Sequence, residues 1–335
     1  AGADVHLAAP ASRARNAPVL EPHAWGERAP RFGRAGLYGR RLREAVRGAA
    51  TFVRALRAVR PDVVHVQTRV APRLDPLLFR LARRRVPIIV TVHDVEPLEG
   101  GTRAFAQQAR TWRAADGVIV HGSRVHDLVA RAAPGCRVVV APADVPPTLH
   151  VVEKTEARAR LGVPLDQPAA LLFGLLRAYK GIELLARVWP KVRARAPGAW
   201  LYVVGSTDGF DVPELDRLRE HDGVVVREGF VPEADVDAWL AAADVLVVAY
   251  TKGVHSAVLR RAAVQGTPAL ASPALAEEVE SAAAGRVVPL DPEAWTDAIV
   301  AALGDDPLPR PPRPTGGRLV AATLALYDEM RARRH

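Results

Sequence analysis

Short apolar runs alternate with helix-length segments along most of the chain, and this alternation constrains the fold more than any other feature. The runs are rich in valine and isoleucine, which is typical of buried parallel strands. Parallel strands need helical crossovers between them, so the pattern predicts an α/β protein with doubly wound sheets. The predicted strands are Asp62–Gln67, Val86–Asp94, Asp116–Ser123, Cys136–Pro142, Ala169–Phe173, Trp200–Gly205, Val224–Arg227, Val245–Ala249, Pro268–Ala271 and Arg286–Val288.

A proline-rich and then charged stretch, "APADVPPTLHVVEKTEARARLGVPLDQP", separates the first four runs from the other six. Such a stretch marks a boundary, and 335 residues with 49% hydrophobic content suffice for two cores. We predict two tandem doubly wound Rossmann-like domains, residues 1–150 and 151–312. An amphipathic helix from about Arg318 to Arg333 follows in residues 313–335. Because open α/β domains bind ligands at the carboxyl ends of their strands, a ligand is expected in the cleft between the domains.

The positive charge lies entirely in the first half of the chain. Residues 1–150 hold 24 arginines, no lysine and 12 acids, a net charge of +12, whereas residues 151–335 carry −3. The excess predicts an anionic partner such as a membrane surface or an acidic substrate. A GC-rich coding sequence explains the arginine bias equally well. Nucleic acid is not predicted, because the sequence shows no nucleic-acid-binding motif and only 5% of its residues are aromatic.

Three further features concern the location of the protein. No apolar run approaches the roughly 20 residues of a membrane-spanning helix. Cys136 has no second cysteine with which to pair, and the first residues do not resemble an export signal. These features predict a cytoplasmic protein. Because the opening "AGADVHLAAP" reads like the interior of a domain, either residues precede Ala1 or the protein is naturally short.

A glycine and two cations occupy the junction between a predicted strand and a helix in "LLFGLLRAYKGIELL". Gly174 permits a close turn, and Arg177 and Lys180 are expected to project from the loop before the helix. An arginine fork, a lysine charge and the free N–H groups of a helix start all bind phosphate oxygens. The junction therefore predicts a diphosphate site, and the alternative is that both cations are solvated surface groups.

The segments after this junction resemble the donor-binding half of the GT-B fold glycosyltransferases of the retaining family 4. They are "LYVVGSTDG", "VVVREGFVPEADVDAWLAAADVLVVAY" and "SAVLRRAAVQGTPALAS". In the first half, "RPDVVHVQ", "IIVTVHD" and "AADGVIVHGS" are similar to the acceptor-side domain of that family. The resemblance implies transfer of a sugar from a nucleotide-diphosphate sugar to a glycan or lipid-linked acceptor, with retention at the anomeric carbon. It also implies that no metal or other cofactor is needed and that the final helix crosses back to the first domain.

This chain departs from the family pattern in several places. Where the family carries two glutamates eight positions apart, the sequence has Gly253 and Arg261. It resembles instead a subset with a serine at the helix start, here "HSAVLRRAAVQG", with Ala257 in place of a glycine. Ser256 and the following N–H groups are expected to hold the distal phosphate, and the alternative is an ordinary N-cap serine. The resemblance also implies a first strand and a glycine-rich loop ahead of the segment that "AGADVHLAAP" resembles, and this sequence begins after them.

The resemblance also implies roles for individual residues. His93 is the candidate for contact with the reacting sugar or the acceptor, with Asp94 orienting it, and the alternative is a hydrogen-bonded histidine at a strand end. Glu228 is placed near the nucleotide base or ribose. The predicted donor-binding residues are Gly174, Arg177, Lys180, Gly205, Glu228, Gly253, His255, Ser256, Ala257 and Val258.

Two other motifs have structural interpretations. The acids of "DVD", Asp235 and Asp237, fall in the first turn of a predicted helix, where they favour the helix dipole, so no metal site is predicted there. The basic segment "RRLREAVRGAATFVRALRAVR" has Arg43 opposite Leu42 and Val46. It is predicted as an amphipathic helix that either docks on an anionic membrane leaflet or covers the core.

Two hypotheses about function follow. The first is a retaining glycosyltransferase of the hexosyltransferase type, cytoplasmic or peripheral at the inner membrane surface. The second is a non-catalytic GT-B relative that binds a nucleotide sugar or acts as a partner subunit. The second hypothesis is motivated by the missing pair of glutamates and the missing glycine-rich loop.

Overall fold

The computed structural model describes residues 34–67, 74–93, 101–143, 150–253, 255–314 and 317–333, with side chains from residue 46 in the first helix and from residue 105 in the third. The chain divides into two compact units. The first takes its described residues from Ala1–Val92, Gly100–Val140 and Ala322–His335, and the second from His93–Glu99 and Ala141–Ala321. The opening "AGADVHLAAP" and Asp94 lie outside the described residues.

A four-stranded parallel sheet forms the centre of the first unit. Its elements are α1 (Arg34–Val59), β1 (Val64–Val66), α2 (Asp75–Ala82), β2 (Ile88–Val92), α3 (Gly101–Trp112), β3 (Gly117–Val120), α4 (Ser123–Ala132), β4 (Arg137–Val140) and most of α12 (Arg318–Ala332). The strand order is β1-β2-β3-β4, so each strand lies beside its neighbour in sequence. Ile88, Ile89 and Ile119 are fully buried, as expected for strands covered on both faces.

The last helix packs against this sheet. Leu326 is buried, and its side chain lies 3.3 Å from the position that a β-carbon would take on Gly117. The hydroxyl of Tyr327 lies 2.6 Å from Nδ1 of His65. Because Gly117 has no side chain, α12 can approach the start of β3 closely.

The second unit is a larger parallel sheet with helices on both faces. Its elements are α5 (Lys154–Leu161), β5 (Ala169–Phe173), α6 (Ile182–Arg195), β6 (Trp200–Gly205), α7 (Glu214–Arg219), β7 (Val224–Glu228), α8 (Glu233–Ala242), β8 (Val245–Val248), α9 (Ala257–Gln265), β9 (Ala269–Ala271), α10 (Ala276–Ala282), β10 (Gly285–Val287) and α11 (Pro292–Leu303). Trp189 and Trp295 are buried on one face of the sheet, and Leu240 and Leu259 on the other.

The strand order of the second sheet reverses at β5. The order is β10-β9-β8-β5-β6-β7, and all neighbours are parallel. From β5 the chain runs outward through β6 to β7 and then returns to β8 on the other side of β5. Doubly wound sheets bind ligands at the carboxyl ends of the strands where the order reverses. A ligand site is therefore expected at the turns after β5 and β8.

The strands predicted from the apolar runs are confirmed, and the differences lie at their ends. In the first unit the strands are shorter than predicted. Val86 and Pro87, for example, precede β2, because proline has no N–H to donate to a sheet. In the second unit, β7 extends to Glu228 and β10 begins at Gly285. The predicted amphipathic helix from Arg318 is also confirmed.

The predicted basic helix corresponds to α1. Its Phe52 packs against Phe79 of α2, with ring centres 6.1 Å apart. Val46, predicted on the apolar face, is 54% exposed, and Leu42 and Arg43 lie outside the described side chains. None of the helices in the described part of the chain has the length and apolar character needed to cross a bilayer.

Candidate functional site

The turns after β5 and β8 meet where the strand order reverses. The β5 turn carries Gly174 and Lys180, and the β8 turn leads through Tyr250 to Ser256 at the start of α9. A β-carbon on Gly174 would lie 2.9 Å from Nζ of Lys180 and 3.5 Å from Cγ2 of Val258. Backbone without a side chain therefore lies between the lysine head and the helix start.

Lys180 is buried, and the expectation that it projects from the loop is wrong. A short 3-10 turn, Ala178–Lys180, folds the chain back, so that Nζ donates a 3.0 Å hydrogen bond to the carbonyl oxygen of Phe173. Only 4% of the residue is exposed. Burial, aided by the charge of Arg177, lowers the pKa of Lys180 to about 8. An ammonium group has three N–H donors, so one bond to Phe173 leaves capacity to bind an anion.

Arg177 does not project freely either, because the turn after β6 holds its side chain. The guanidinium donates to the carbonyl oxygen of Thr207 and lies 3.7 Å from the carboxylate of Asp208. Its Cζ lies 3.8 Å from the centre of the Phe210 ring, within the range of a cation–π contact. These contacts fix the arginine between the turns of β5 and β6.

Ser256 caps α9, which confirms the N-cap interpretation. Its Oγ accepts a hydrogen bond of 3.3 Å from the N–H of Leu259 and lies 3.3 Å from the hydroxyl of Tyr250. The N–H of Ser256 donates to a carboxylate oxygen of Glu278 at 2.7 Å. The hydroxyl and the N–H of Ser256 both contact protein groups, and the residue is buried. Ser256 therefore orients the start of α9, and its contact with the distal phosphate stays a prediction.

The other predicted donor-binding residues of this turn lie around the helix start. Gly253 has a φ of 105°, which favours glycine, and His255 is half-buried. Ala257 and Val258 are the first two residues of α9. Their N–H groups have no intrahelical acceptor, because the first N–H groups of any helix are unpaired. Together with the helix dipole, these groups favour an anion at this end of α9.

Gly205 lets the ends of β5 and β6 approach each other. Its φ is 148°, and a β-carbon there would lie only 1.8 Å from the carbonyl oxygen of Gly174. The N–H of Gly174 donates to the carbonyl oxygen of Val204 at 2.9 Å. At these two glycines the surface of the site therefore consists of backbone atoms without side chains.

Glu228 ends β7 and is joined to the same group of turns. Its carboxylate accepts hydrogen bonds from Oγ1 of Thr207 at 2.9 Å and from Arg219 at 2.5 Å. These bonds hold the pKa of Glu228 below its usual range. Because Thr207 also binds Arg177 through its carbonyl oxygen, Glu228 and Arg177 are linked through one residue.

The two positions where the family carries glutamates offer no carboxylate. Arg261 binds both oxygens of Asp237, at 2.5 and 3.0 Å, and also pairs with Glu233 at 2.6 Å. It therefore joins α9 to α8. Asp235 lies in the first turn of α8, as predicted, and pairs with Arg160. Within the described ranges, no cluster of three or more histidine, cysteine or acidic side chains has the arrangement of a metal site.

His93 directly follows β2, and its side chain is exposed. It stands at the end of the first sheet, whereas the other candidate residues belong to the second. The structure therefore brings together the residues of the β5, β6, β7 and β8 turns, and the role of His93 at a reacting sugar stays a prediction.

Two buried residues of this region, Tyr250 and Glu278, are missing from the predicted donor-binding set. The Tyr250 ring packs edge-on against Tyr179 with centres 5.6 Å apart, and burial raises the pKa of its hydroxyl. The signal for Tyr250 was its place at the end of the apolar run "DVLVVAY". Glu278 had a weaker signal, its place with Glu277 at the start of a predicted helix, and its contacts with Ser256 and Arg260 in the preceding helix could not be predicted.

A cavity of about 540 Å³ lies at the opposite edge of the second sheet, at the amino ends of the strands. It is lined in part by Lys154, Arg158 and Asp244. Asp244 pairs with both cations and accepts the N–H of Ala169 at 2.7 Å. Because Asp244 already engages both cations, and because the strand order reverses at the other edge of the sheet, we assign the candidate anion site to the carboxyl edge.

Two family models match most of the chain. One, described as Glycosyltransferase Family 4, matches residues 1–147, and the other, described as Glycosyl transferases group 1, matches residues 167–305. The chain belongs to the family-4 glycosyltransferases of the GT-B fold. In this glycosyltransferase-family chain, the sequence blocks and the two parallel sheets both indicate the GT-B fold.

The curated relatives of this glycosyltransferase-family chain are named for D-inositol 3-phosphate or for phosphatidyl-myo-inositol. It is 30% identical over 187 residues to a D-inositol 3-phosphate glycosyltransferase of Xylanimonas cellulosilytica, which covers 53% of this chain and 44% of the relative. It is 27% identical over 259 residues to the phosphatidyl-myo-inositol mannosyltransferase of Mycolicibacterium smegmatis, covering 74% of this chain and 63% of the relative. The chain spans about half the length of the curated relatives it matches.

Solved structures share the fold of this glycosyltransferase-family chain. The sucrose-phosphate synthase of Thermosynechococcus elongatus superposes with a TM-score of 0.67 at 21% identity, covering 91% of this chain and 78% of that one. HepE of Anabaena, solved with UDP-glucose, has a TM-score of 0.64 at 17% identity, covering 84% and 77%. At these identities the likeness concerns the fold.

Proposed function

We propose that this chain binds a nucleotide-diphosphate sugar and transfers the sugar, with retention, to a glycan or lipid-linked acceptor. The observation that carries the proposal is the buried ammonium of Lys180, held beside Gly174 at the point where the strand order reverses. Burial strengthens its attraction for a diphosphate. Arg177 and the N–H groups of Ala257 and Val258 add donors around the same turn.

The proposed reaction moves negative charge onto the diphosphate. The bond between the anomeric carbon and the phosphate oxygen breaks, and its electron pair stays with that oxygen. The acceptor hydroxyl oxygen bonds to the anomeric carbon from the same side, and its proton passes to the departing diphosphate. Lys180, Arg177 and the start of α9 neutralise the charge that develops on the leaving group. No step in this proposal uses a metal.

The acceptor is proposed to be anionic. Two relatives are named for acceptors that carry a phosphate, D-inositol 3-phosphate in one case and phosphatidyl-myo-inositol in the other. Residues 1–150 carry a net charge of +12, which would attract such acceptors. His93, exposed at the end of the first sheet, is the residue proposed to contact the acceptor or the reacting sugar.

One observation favours a second function, a non-catalytic nucleotide-sugar-binding protein. The positions of the family's two glutamates hold Gly253 and Arg261, and Arg261 is engaged by Asp237 and Glu233. No carboxylate from these positions can contact a donor sugar. The fold can therefore retain the diphosphate site without the contacts that support transfer.

A transfer assay tests the two functions. The protein is incubated with UDP- and GDP-sugars and with inositol phosphate or phosphatidylinositol, and products are followed by mass spectrometry. We expect a glycosylated acceptor whose anomeric configuration, read by NMR coupling constants, equals that of the donor. An inverted product would contradict retention. Binding of the donor without any product would favour the non-catalytic function, and the absence of both would contradict the two proposals.

We further propose that the protein attaches peripherally to the anionic inner membrane surface through α2. Leu77 and Leu81, one turn apart, are 56% and 51% exposed. Arg80 and Arg84 are exposed beside them, whereas Phe79 is buried on the opposite face. Exposed leucines flanked by arginines match a boundary between acyl chains and anionic headgroups.

Vesicle sedimentation tests this attachment. We expect binding to vesicles of phosphatidylcholine mixed with phosphatidylglycerol, and much weaker binding to phosphatidylcholine alone. Leu77→Ser combined with Leu81→Ser should reduce the binding at least about tenfold, because each leucine contributes roughly 1–2 kcal/mol when buried. Leu165→Ser, at an exposed position of the second unit, is the control and should leave binding unchanged. An unchanged affinity of the double variant would contradict the assignment.

A further inference from the structure

A buried carboxylate, Glu278, lies behind the candidate site and has no part in the reaction proposed above. It is the third residue of α10 and is 8% exposed. One carboxylate oxygen accepts the N–H of Ser256 at 2.7 Å, and the other pairs with Arg260 of α9. Burial raises the pKa of Glu278, while Arg260 and the N–H of Ser256 oppose this change. Burying a carboxylate is unfavourable without such partners.

A continuous series of contacts leads from Glu278 to Lys180. The Oγ of Ser256 lies 3.3 Å from the hydroxyl of Tyr250. The carbonyl oxygen of Tyr250 accepts a 2.5 Å hydrogen bond from Ser272, and the centre of the Tyr250 ring lies 5.3 Å from Nζ of Lys180. This distance is within the range of a cation–π contact. All five side chains are buried, so their positions depend on one another.

We propose that Glu278 is a positioning residue of the diphosphate site, which holds Ser256 and Tyr250 so that Lys180 and the first turn of α9 act on the same ligand. The inference rests on the proposed function and names pyrophosphate as the part of the donor that is affected. Ligand affinity depends on such pre-positioning of donors, because a donor that must first be ordered binds more weakly.

Glu278 acts through its neighbours and does not touch the ligand. Both of its oxygens are engaged by protein groups, and a bare carboxylate would repel a phosphate. Arg260 offsets the negative charge of Glu278. The contribution of Glu278 is therefore geometric, and a neutral group that accepts the same hydrogen bond from Ser256 should substitute for it.

Calorimetric titrations of the full chain with inorganic pyrophosphate, uridine and guanosine test this inference. We expect Glu278→Ala to weaken pyrophosphate binding about tenfold, the effect of losing roughly 1.4 kcal/mol of hydrogen bonding. Glu278→Gln should remain within about twofold of the unmodified protein, because its amide oxygen can accept the N–H of Ser256. Glu280→Ala, at an exposed position of the same helix, is the matched control and should not change the affinity. Nucleoside affinity should stay the same in all variants.

The outcomes separate the inference from the proposed function. If the unmodified protein binds pyrophosphate and Glu278→Ala binds it equally well, the positioning role is overturned and the proposed function stands. An equal loss of pyrophosphate and nucleoside affinity would also overturn it, because that result indicates general damage. If neither the nucleosides nor pyrophosphate bind the unmodified protein, both proposals fail.

A second variant covers the case in which Glu278→Ala does not fold. Replacing Glu278 and Arg260 together by leucine removes the ion pair and fills its space with apolar side chains, which proteins often tolerate. This double variant lacks the acceptor for the N–H of Ser256, so it carries the same expected loss of about tenfold in pyrophosphate affinity. An unchanged affinity in the folded double variant would overturn the positioning role.

Discussion

Lys180→Met is expected to weaken the binding of uridine or guanosine diphosphate about a hundredfold while making the protein more stable at pH 7. Removing one partner of a buried charge pair costs roughly 3 kcal/mol of binding, which corresponds to that factor. Methionine fills a similar volume without burying a charge. Calorimetry of both proteins measures the first effect. Lys191→Met, which removes an exposed ion pair with Glu293, is the matched control and should bind normally.

The stability effect of Lys180→Met has a defined pH dependence. The pKa of Lys180 is about 8 in the folded protein, against 10.5 for an ordinary lysine. Below pH 8 the folded state therefore carries the full penalty of the buried charge, about 3 kcal/mol. The variant avoids this penalty but loses the hydrogen bond to Phe173, worth about 1 kcal/mol, so a net increase of about 2 kcal/mol is expected.

Between pH 8 and pH 10.5 this advantage should shrink. In that window the unfolded chain binds a proton that the folded chain has released, so the stability of the unmodified protein rises with pH. Denaturant unfolding of both proteins over this range gives the difference directly. A difference that does not vary with pH would show that Lys180 does not bury a charge, and a diphosphate affinity equal to that of the unmodified protein would refute its role in binding.

Gly205→Ala is expected to destabilise the second unit by about 4 kcal/mol or more, as overpacking against rigid backbone does. Its β-carbon would stand 1.8 Å from the carbonyl oxygen of Gly174, and the φ of 148° is unfavourable for alanine. The ends of β5 and β6 would have to separate. The thermal midpoint should fall by about 10 °C, given roughly 2–4 °C per kcal/mol for a unit of this size.

Gly209→Ala is the control for this prediction. Gly209 also has a positive φ, 77°, but no atom lies within 4 Å of its β-carbon position. Its substitution should cost only about 1 kcal/mol, the conformational penalty alone. Equal thermal midpoints for the two variants would mean that the close contact between the β5 and β6 turns is absent.

The strands and their parallel arrangement were predictable because the signal is local. Each buried strand is a short run of valine, isoleucine and leucine, and helix-length segments between the runs leave few alternatives to a doubly wound sheet. The N-cap at Ser256 was predictable for the same reason, since a cap depends on the few residues that follow it.

The burial and the contacts of Arg177 and Lys180 were not predictable, because they depend on parts of the chain that are separated in sequence. Arg177 is held by Thr207 and Phe210, some thirty residues later. Lys180 is buried because a tight turn folds it onto Phe173 and a glycine leaves space for its head. From sequence alone, a charged side chain at a strand–helix junction is predicted to be exposed to solvent. Only packing shows whether it is surrounded by protein.

The contacts of Arg261, at one of the two positions where the family carries a glutamate, were also not predictable from the sequence. The sequence indicates that Arg261 stands where the family has an acid, but not what the arginine does. In the structure it binds Asp237 and Glu233 of the preceding helix. The arginine thus links α8 to α9, and the donor site that we propose is formed by the turns after β5, β6 and β8.

The central claim, that the carboxyl edge of β5 and β8 binds the diphosphate of a nucleotide sugar, is tested most directly by a crystal structure with uridine or guanosine diphosphate bound. We predict a diphosphate oxygen at about 3 Å from Nζ of Lys180, the distance of a charge-assisted hydrogen bond, with the N–H groups of Ala257 and Val258 beside it. A diphosphate bound instead in the cavity at the amino edge, near Lys154 and Arg310, would contradict the account.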